Sequence, residues 1–163
     1  MQQVVEQLGA SITLSPRWWN LIASTRIFVQ SFCSCSFSDE GLSDRVAMTA
    51  HELLENAVKY SDTPDRPVTC ALLLGDGTVG IRVSNHADPT HADVLRAQFA
   101  EVMDGDPLEV YLAKMQASLG SDSSQLGLAR IRYEGEARLA LLFDQDVVTV
   151  EAIFDISPEG SNG

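Results

Sequence analysis

The segment from about Glu40 to Tyr60 constrains the fold of this chain more than any other. Val46, Ala50, Leu53, Leu54 and Ala57 recur at helical spacing and make one apolar face. Ser38 or Asp39 can cap its start. The run Ser61-Asp62-Thr63-Pro64-Asp65 ends it, because the residue before a proline is steered away from the helical region. A helix of this length with a single apolar stripe must lie on a core that the rest of the chain supplies.

Two pairs of strand-like segments can supply it. Pro67 to Leu74 and Val79 to Asn85 are joined by Gly75-Asp76-Gly77, a hairpin turn, and Arg138 to Phe143 and Val147 to Phe154 turn at Asp144-Gln145-Asp146. Ala10 to Leu14 reads as a short strand. Pro16 suits the first turn of a helix carrying Trp18, Trp19, Ile22, Ile27, Phe28 and Val29, which the stretch Ser31–Ser38 breaks. Helical segments are predicted from Thr90 to Met103, from Pro107 to Leu119, and, after the polar loop 120–124, from Gln125 to about Glu136. Hairpins separated by helices predict an α+β two-layer sandwich, with an antiparallel or mixed sheet, taken as mixed, and the helices on one face. A length of 163 residues fits one domain, expected over residues 1–156, with a disordered tail at 157–163.

The charge narrows the partners. With 23 acidic and 11 basic side chains the formal net charge is −12, which repels a phosphate backbone and argues against nucleic-acid binding. Cys33, Cys35 and Cys70 make no even disulfide framework and have no Cys/His cluster beside them, so buried, reduced thiols are expected. No secretory leader and no apolar run of about 20 residues is visible, which predicts a cytoplasmic protein without a membrane span.

Opposite the apolar stripe, Glu52, Asn56 and Lys59 stand at i, i+4 and i+7, within an arc of roughly 60°. A solvated face is the plain reading of such a trio. Asn56 departs from it, since asparagine favours caps and turns over helix interiors. The functional reading uses each group differently. Asn56 would be an oxygen ligand for Mg²⁺, Glu52 a base toward a hydroxyl or water attacking a phosphoryl group, and Lys59 a point charge for phosphate oxygens.

The run Glu52-Leu53-Leu54-Glu55-Asn56-Ala57-Val58-Lys59-Tyr60-Ser61 resembles the N box of the GHKL superfamily, the histidine-kinase-like ATPases that include gyrase, heat-shock-90 and MutL. Gln125-Leu126-Gly127-Leu128-Ala129 resembles its second glycine box, where a loop meets a helix N-terminus near phosphates. The resemblance covers roughly residues 10–156 and looks closest to the small SiaB-type and anti-sigma-factor-type regulatory kinases. It implies a Bergerat fold and ATP and Mg²⁺ as cofactors. It also implies Glu52 as general base, Asn56 as metal ligand, and Lys59, Asn85, Gly127 and Leu128 around the nucleotide. A protein partner of the STAS type, or a component of a response-regulator pathway, is implied as the target of binding and of Ser/Thr phosphorylation. Two positions depart from the family pattern. The strand end Val83-Ser84-Asn85-His86-Ala87-Asp88-Pro89 has no first glycine box, so Asn85 stands in for the adenine-reading aspartate, and Gln125 replaces a glycine of the second. The alternative is a non-catalytic interaction module on the same fold.

Other features read as structural. His51 lies inside the N-box helix rather than on a dimerising hairpin, which argues against a phosphoacceptor role. His86 and His91 read as solvated loop histidines beside acids. Trp18 and Trp19 cannot share one helix face, so one is expected in the core. The other is left for second-layer packing, a partner or a homodimer mate. Leu108, Tyr111, Leu112, Met115 and Leu119 are expected to pack as core or lid.

Overall fold

The computed structural model describes residues 7–119 and 124–157. In chain order it places β1 (Gln7–Leu14), a 3-10 segment (Pro16–Leu21), α1 (Ile22–Ser36), α2 (Glu40–Lys59), β2 (Val68–Gly75) and β3 (Thr78–His86). Then come α3 (Pro89–Met103), α4 (Pro107–Ala117), α5 (Ser124–Tyr133), β4 (Arg138–Asp144) and β5 (Val147–Asp155). The five strands form one sheet in the order β1-β2-β3-β5-β4.

Every neighbouring pair is antiparallel, which corrects the expectation of a mixed sheet. The helix count explains it. Between β1 and β2 the chain makes a two-helix hairpin, so β2 starts at the end where β1 finished and runs back beside it. Three helices separate β3 from β4, which makes those two strands parallel; β5 then slots between them and is antiparallel to both. The α+β two-layer form stands.

The inner sheet face is made by alternate residues, Val79, Ile81 and Val83 of β3 with Val148, Val150, Ala152 and Phe154 of β5, all buried. Against it lies the α2 stripe of Leu42, Val46, Ala50, Leu53, Leu54 and Ala57. Each fully buried leucine there contributes about 1.5–3 kcal/mol. The Asp39 carboxylate caps α2 by accepting from the Leu42 N–H at 3.0 Å.

Two boundaries differ from the sequence reading. Pro16 opens a 3-10 segment capped by Ser15, and Trp18 (φ −100°, ψ 38°) kinks the chain before the α-helix begins at Ile22. That helix then runs through the serines to Ser36. Ile22, Thr25, Val29 and Cys33 continue a buried stripe at i, i+3, i+7 and i+11, and the Ser36 hydroxyl folds back onto the Phe32 carbonyl at 2.8 Å. Cys33 and Cys70 are buried, their thiols pushed up to about 12 by desolvation, while Cys35 is exposed. Both tryptophans are exposed, Trp18 by 59% and Trp19 by 66%, so neither enters the core. The stripe on α4 also faces outward: Tyr111 is buried, but Leu108, Leu112, Met115 and Leu119 are exposed. Residues 120–123 of the expected polar loop lie outside the described residues, as does the expected tail beyond Ser157.

Candidate functional site

The polar side of α2 borders a cleft of about 590 Å³. One wall is the helix itself, with His51, Glu52, Glu55, Asn56, Val58 and Lys59; the facing wall comes from Trp19, Asn20, Ile22 and Ala23, and Gly127 of α5 closes an end. Of the residues singled out in the sequence, Glu52, Asn56, Lys59 and Gly127 are therefore brought together. Leu128 is fully buried in the core and does not line the cleft. Asn85 is also absent from the lining. It lies on the inner face near the end of β3, 5% exposed, with its amide donating to the His86 carbonyl at 3.4 Å.

Two cleft residues, His51 through Nδ1 and Asn56 through Nδ2, hold a buried nitrogen without a hydrogen-bond partner among the described residues, and Asn56 is the more buried of them. It is only 8% exposed, and its Nδ2 has no hydrogen-bond partner among the described residues. Leaving a buried amide unpaired costs about 1–3 kcal/mol. A carboxamide can present either its NH₂ or its oxygen after a half-turn of the terminal torsion, so the group can meet a phosphate oxygen or a cation.

Glu52 is already engaged. Arg130 donates to its Oε1 at 3.3 Å. A Cβ built on Gly127 would sit 2.5 Å from Oε2, so the carboxylate rests against the bare backbone of the first turns of α5. Arg130 also meets Glu134 at 3.2 Å, and the Tyr111 hydroxyl donates to Glu134 at 2.8 Å. Burial first, and then this bond, hold the Tyr111 phenol above its ordinary range. The chain Glu52–Arg130–Glu134–Tyr111 thus ties the cleft to α4. Sequence reasoning missed Arg130, although Gly127 and Arg130 of α5 and Glu134 just past its end stand at helical spacing. It also missed Trp19, Asn20, Ile22 and Ala23, which reach the cleft only because α1 doubles back beside α2.

The charge of the cleft is mixed. Glu52 and Glu55 face Lys59, whose ammonium lies 5.8 Å from the centroid of the Tyr60 ring, and His51 meets Glu55 at 3.0 Å. A polyanion entering here meets two carboxylates, so a divalent cation is the natural third party. No group of three or more His, Cys, Asp or Glu able to hold a metal exists among the described residues, and a cation bound here would share its shell between Asn56, water and the ligand's phosphates.

The β3 side of the chain just past the C-terminus of α2 is a sealed end. The Asp62 N–H donates to the His86 carbonyl at 2.8 Å, and Arg66 bridges Asp62, at 3.0 Å, to Asp146 in the β4–β5 turn. The hydrogen bond from Arg66 holds the Asp146 carboxyl below the usual range. Tyr60, Ala87 and Leu95 are buried at this end, and the Tyr60 hydroxyl bonds Gln98 of α3 at 2.8 Å.

No protein-family model matches the chain, and no curated protein matches it. Among solved structures it is similar to a chain in the crystal structure of the SiaB–SiaC complex from Pseudomonas aeruginosa, with a TM-score of 0.68 over 90% of this chain and 91% of that one, at 14% identity. No described helix is long and apolar enough to cross a membrane. What the chain shares with that structure is its fold, which in this chain is a five-stranded antiparallel sheet under a layer of helices.

Proposed function

We propose that this protein is a GHKL-type signalling regulator that takes Mg²⁺-ATP by its phosphates in the α2 cleft and acts on a protein partner, of the STAS type or another signalling component. One observation carries the reading: Asn56, buried, with an Nδ2 that has no partner among the described residues, lines a cleft together with Glu52 and Lys59. The fold shared with a chain of the SiaB–SiaC complex, itself an assembly of two proteins, supports the partner half. In this reading Asn56 contributes its oxygen to the cation, Lys59 meets phosphate oxygens, and Gly127 lets a phosphate approach the α5 backbone. Glu52 serves as base toward a Ser or Thr hydroxyl once Arg130 lets it go. Calorimetric titration with Mg²⁺-ATP tests the nucleotide half, and an absence of saturable heat removes it. For the transfer half, partner and ATP are mixed and the partner is weighed; a phosphoryl mass gain that disappears in Glu52→Gln is the expected result.

The burial of Asn85 away from the cleft favours a second reading, an interaction module without nucleotide chemistry. It is distinguished by partner binding that is unaffected by ATP and by Glu52→Gln.

A further inference from the structure

Telling one nucleobase from another takes polar groups that meet the base edge, and at the sealed end these groups are already spent. Asn85 is 5% exposed and gives its amide to the His86 carbonyl. The Asp62 N–H donates to that same carbonyl at 2.8 Å, and the Ala87 N–H donates to the Asp146 carbonyl at 2.9 Å. A base edge arriving there would have to displace bonds that the chain makes with itself.

The wall that faces α2 offers a different kind of contact. Trp19 stands on the 3-10 segment Pro16–Leu21 and is 66% exposed where it lines the cleft. Two bonds fasten the start of that segment to the loop that follows α2. The Ser15 hydroxyl donates to the Pro64 carbonyl at 2.8 Å, and Arg17 donates to the Asp65 carboxylate at 2.8 Å. The ring is therefore a platform held in place across from the helix.

Stacking uses the face of a base, and every base has one. Adenine and guanine differ instead at the edge, where one carries an amino donor and the other a carbonyl acceptor. A site separates them strongly only when the wrong base leaves a buried polar group unpaired. Asn20 and Glu55 line the cleft but are exposed, so water replaces any bond that a given base fails to make. His51 has its Nε2 on Glu55 at 3.0 Å, and its Nδ1 is closed to solvent.

We infer that the cleft takes purine nucleoside triphosphates as a class, ATP and GTP alike, with the base stacked on Trp19 and its edge in water. The inference rests on the nucleotide reading above, with phosphates and Mg²⁺ at Asn56, Lys59 and Gly127, and widens it from one nucleotide to a substrate class.

Calorimetric titrations with Mg²⁺-ATP, Mg²⁺-GTP and Mg²⁺-tripolyphosphate test it. The two nucleotides should bind within about fivefold of each other, and tripolyphosphate should bind about fivefold or more weakly than either. Trp19→Ala should weaken ATP and GTP by the same factor and leave tripolyphosphate unchanged. Asn20→Ala should keep the ATP-to-GTP ratio of the wild type. A preference of more than about fivefold for either purine overturns the inference and leaves the nucleotide reading standing. Tripolyphosphate binding as tightly as ATP also overturns it, because the base then contributes nothing. No saturable heat from any of the three ligands removes the nucleotide reading and this inference with it.

Discussion

Two buried asparagines, both placed beside a ligand by the sequence, have different surroundings. Asn56 lines the cleft with an amide that has no partner among the described residues. Asn85 lies outside the cleft, at the sealed end, and donates to the neighbouring carbonyl. An unpaired buried amide is a standing cost that folding alone does not explain, whereas a paired one is ordinary interior structure. Under the proposed function, the difference separates a phosphate-and-metal half, left open at Asn56, from a base-reading half at β3, closed at Asn85. Asn56→Ala should therefore weaken Mg²⁺-ATP at least tenfold, about 1.4 kcal/mol or more, while Asn85→Ala changes it less than about twofold by the same calorimetry. Equal losses in the two variants would erase the distinction.

If ATP binds as proposed, the sealed β3 end sends its base elsewhere, and Trp19 is the exposed aromatic face on the cleft rim. Stacking on an aromatic contributes about 1–3 kcal/mol. Trp19→Ala should weaken ATP by about fivefold or more, within that range, and leave Mg²⁺-pyrophosphate unchanged. An equal loss for both ligands assigns Trp19 to the wall of the cleft instead of to the base.

The same contrast makes a prediction for stability with no ligand present. Replacing Asn56 with leucine removes the unpaired amide and should raise unfolding stability by about 1 kcal/mol in urea titration. Asn85→Leu breaks a satisfied bond and should lower it. Gly127→Ala is a smaller perturbation. The added methyl meets the flexible end of Glu52 and not backbone, so the cost in stability should stay under about 1 kcal/mol. The Glu52–Arg130 contact is nevertheless displaced. A double-mutant cycle of Gly127→Ala with Arg130→Gln reads that coupling, and additive effects would mean the two residues act on Glu52 separately.

The fold was legible where local chemistry and tertiary packing agree. The α2 stripe, the Asp39 cap and the Asp76-Gly77 turn each have a short-range cause, and the structure keeps them. It was not legible where packing overrode composition, as in the serine-rich end of α1, held helical by Val29 and Cys33 in the core. Strand orientation escaped as well, because it depends on which strands become neighbours, and no residue announces that β5 slots between β3 and β4. At the site, α2 spacing alone placed Glu52, Asn56 and Lys59 together. Leu128 and Asn85 could be put beside them only by resemblance, and the structure sends both into the interior.

The sealed end has its own fastening, and acid should loosen it without touching the cleft. Arg66 lowers the Asp146 carboxyl by hydrogen bond first and by charge second, and it also joins Asp62 and touches His86. Above the ordinary carboxyl range both the folded and the unfolded chain hold Asp146 ionised, so its contribution is complete. As the pH falls below about 3.9 the unfolded chain takes up the proton first, and the contribution drains away until the folded carboxyl is protonated too. The residue is exposed and screened, so the effect is the smallest of the set. Thermal unfolding of Asp146→Asn should show a shallower decline below about pH 4 than the wild type, and a constant Tm difference from about pH 5 to 8. Its affinity for Mg²⁺-ATP should match the wild type, because the fastening closes the Asn85 side alone. A loss of affinity in this variant would mean that the cleft and this fastening communicate, and the division between an open half and a closed half would have to be redrawn as one coupled site.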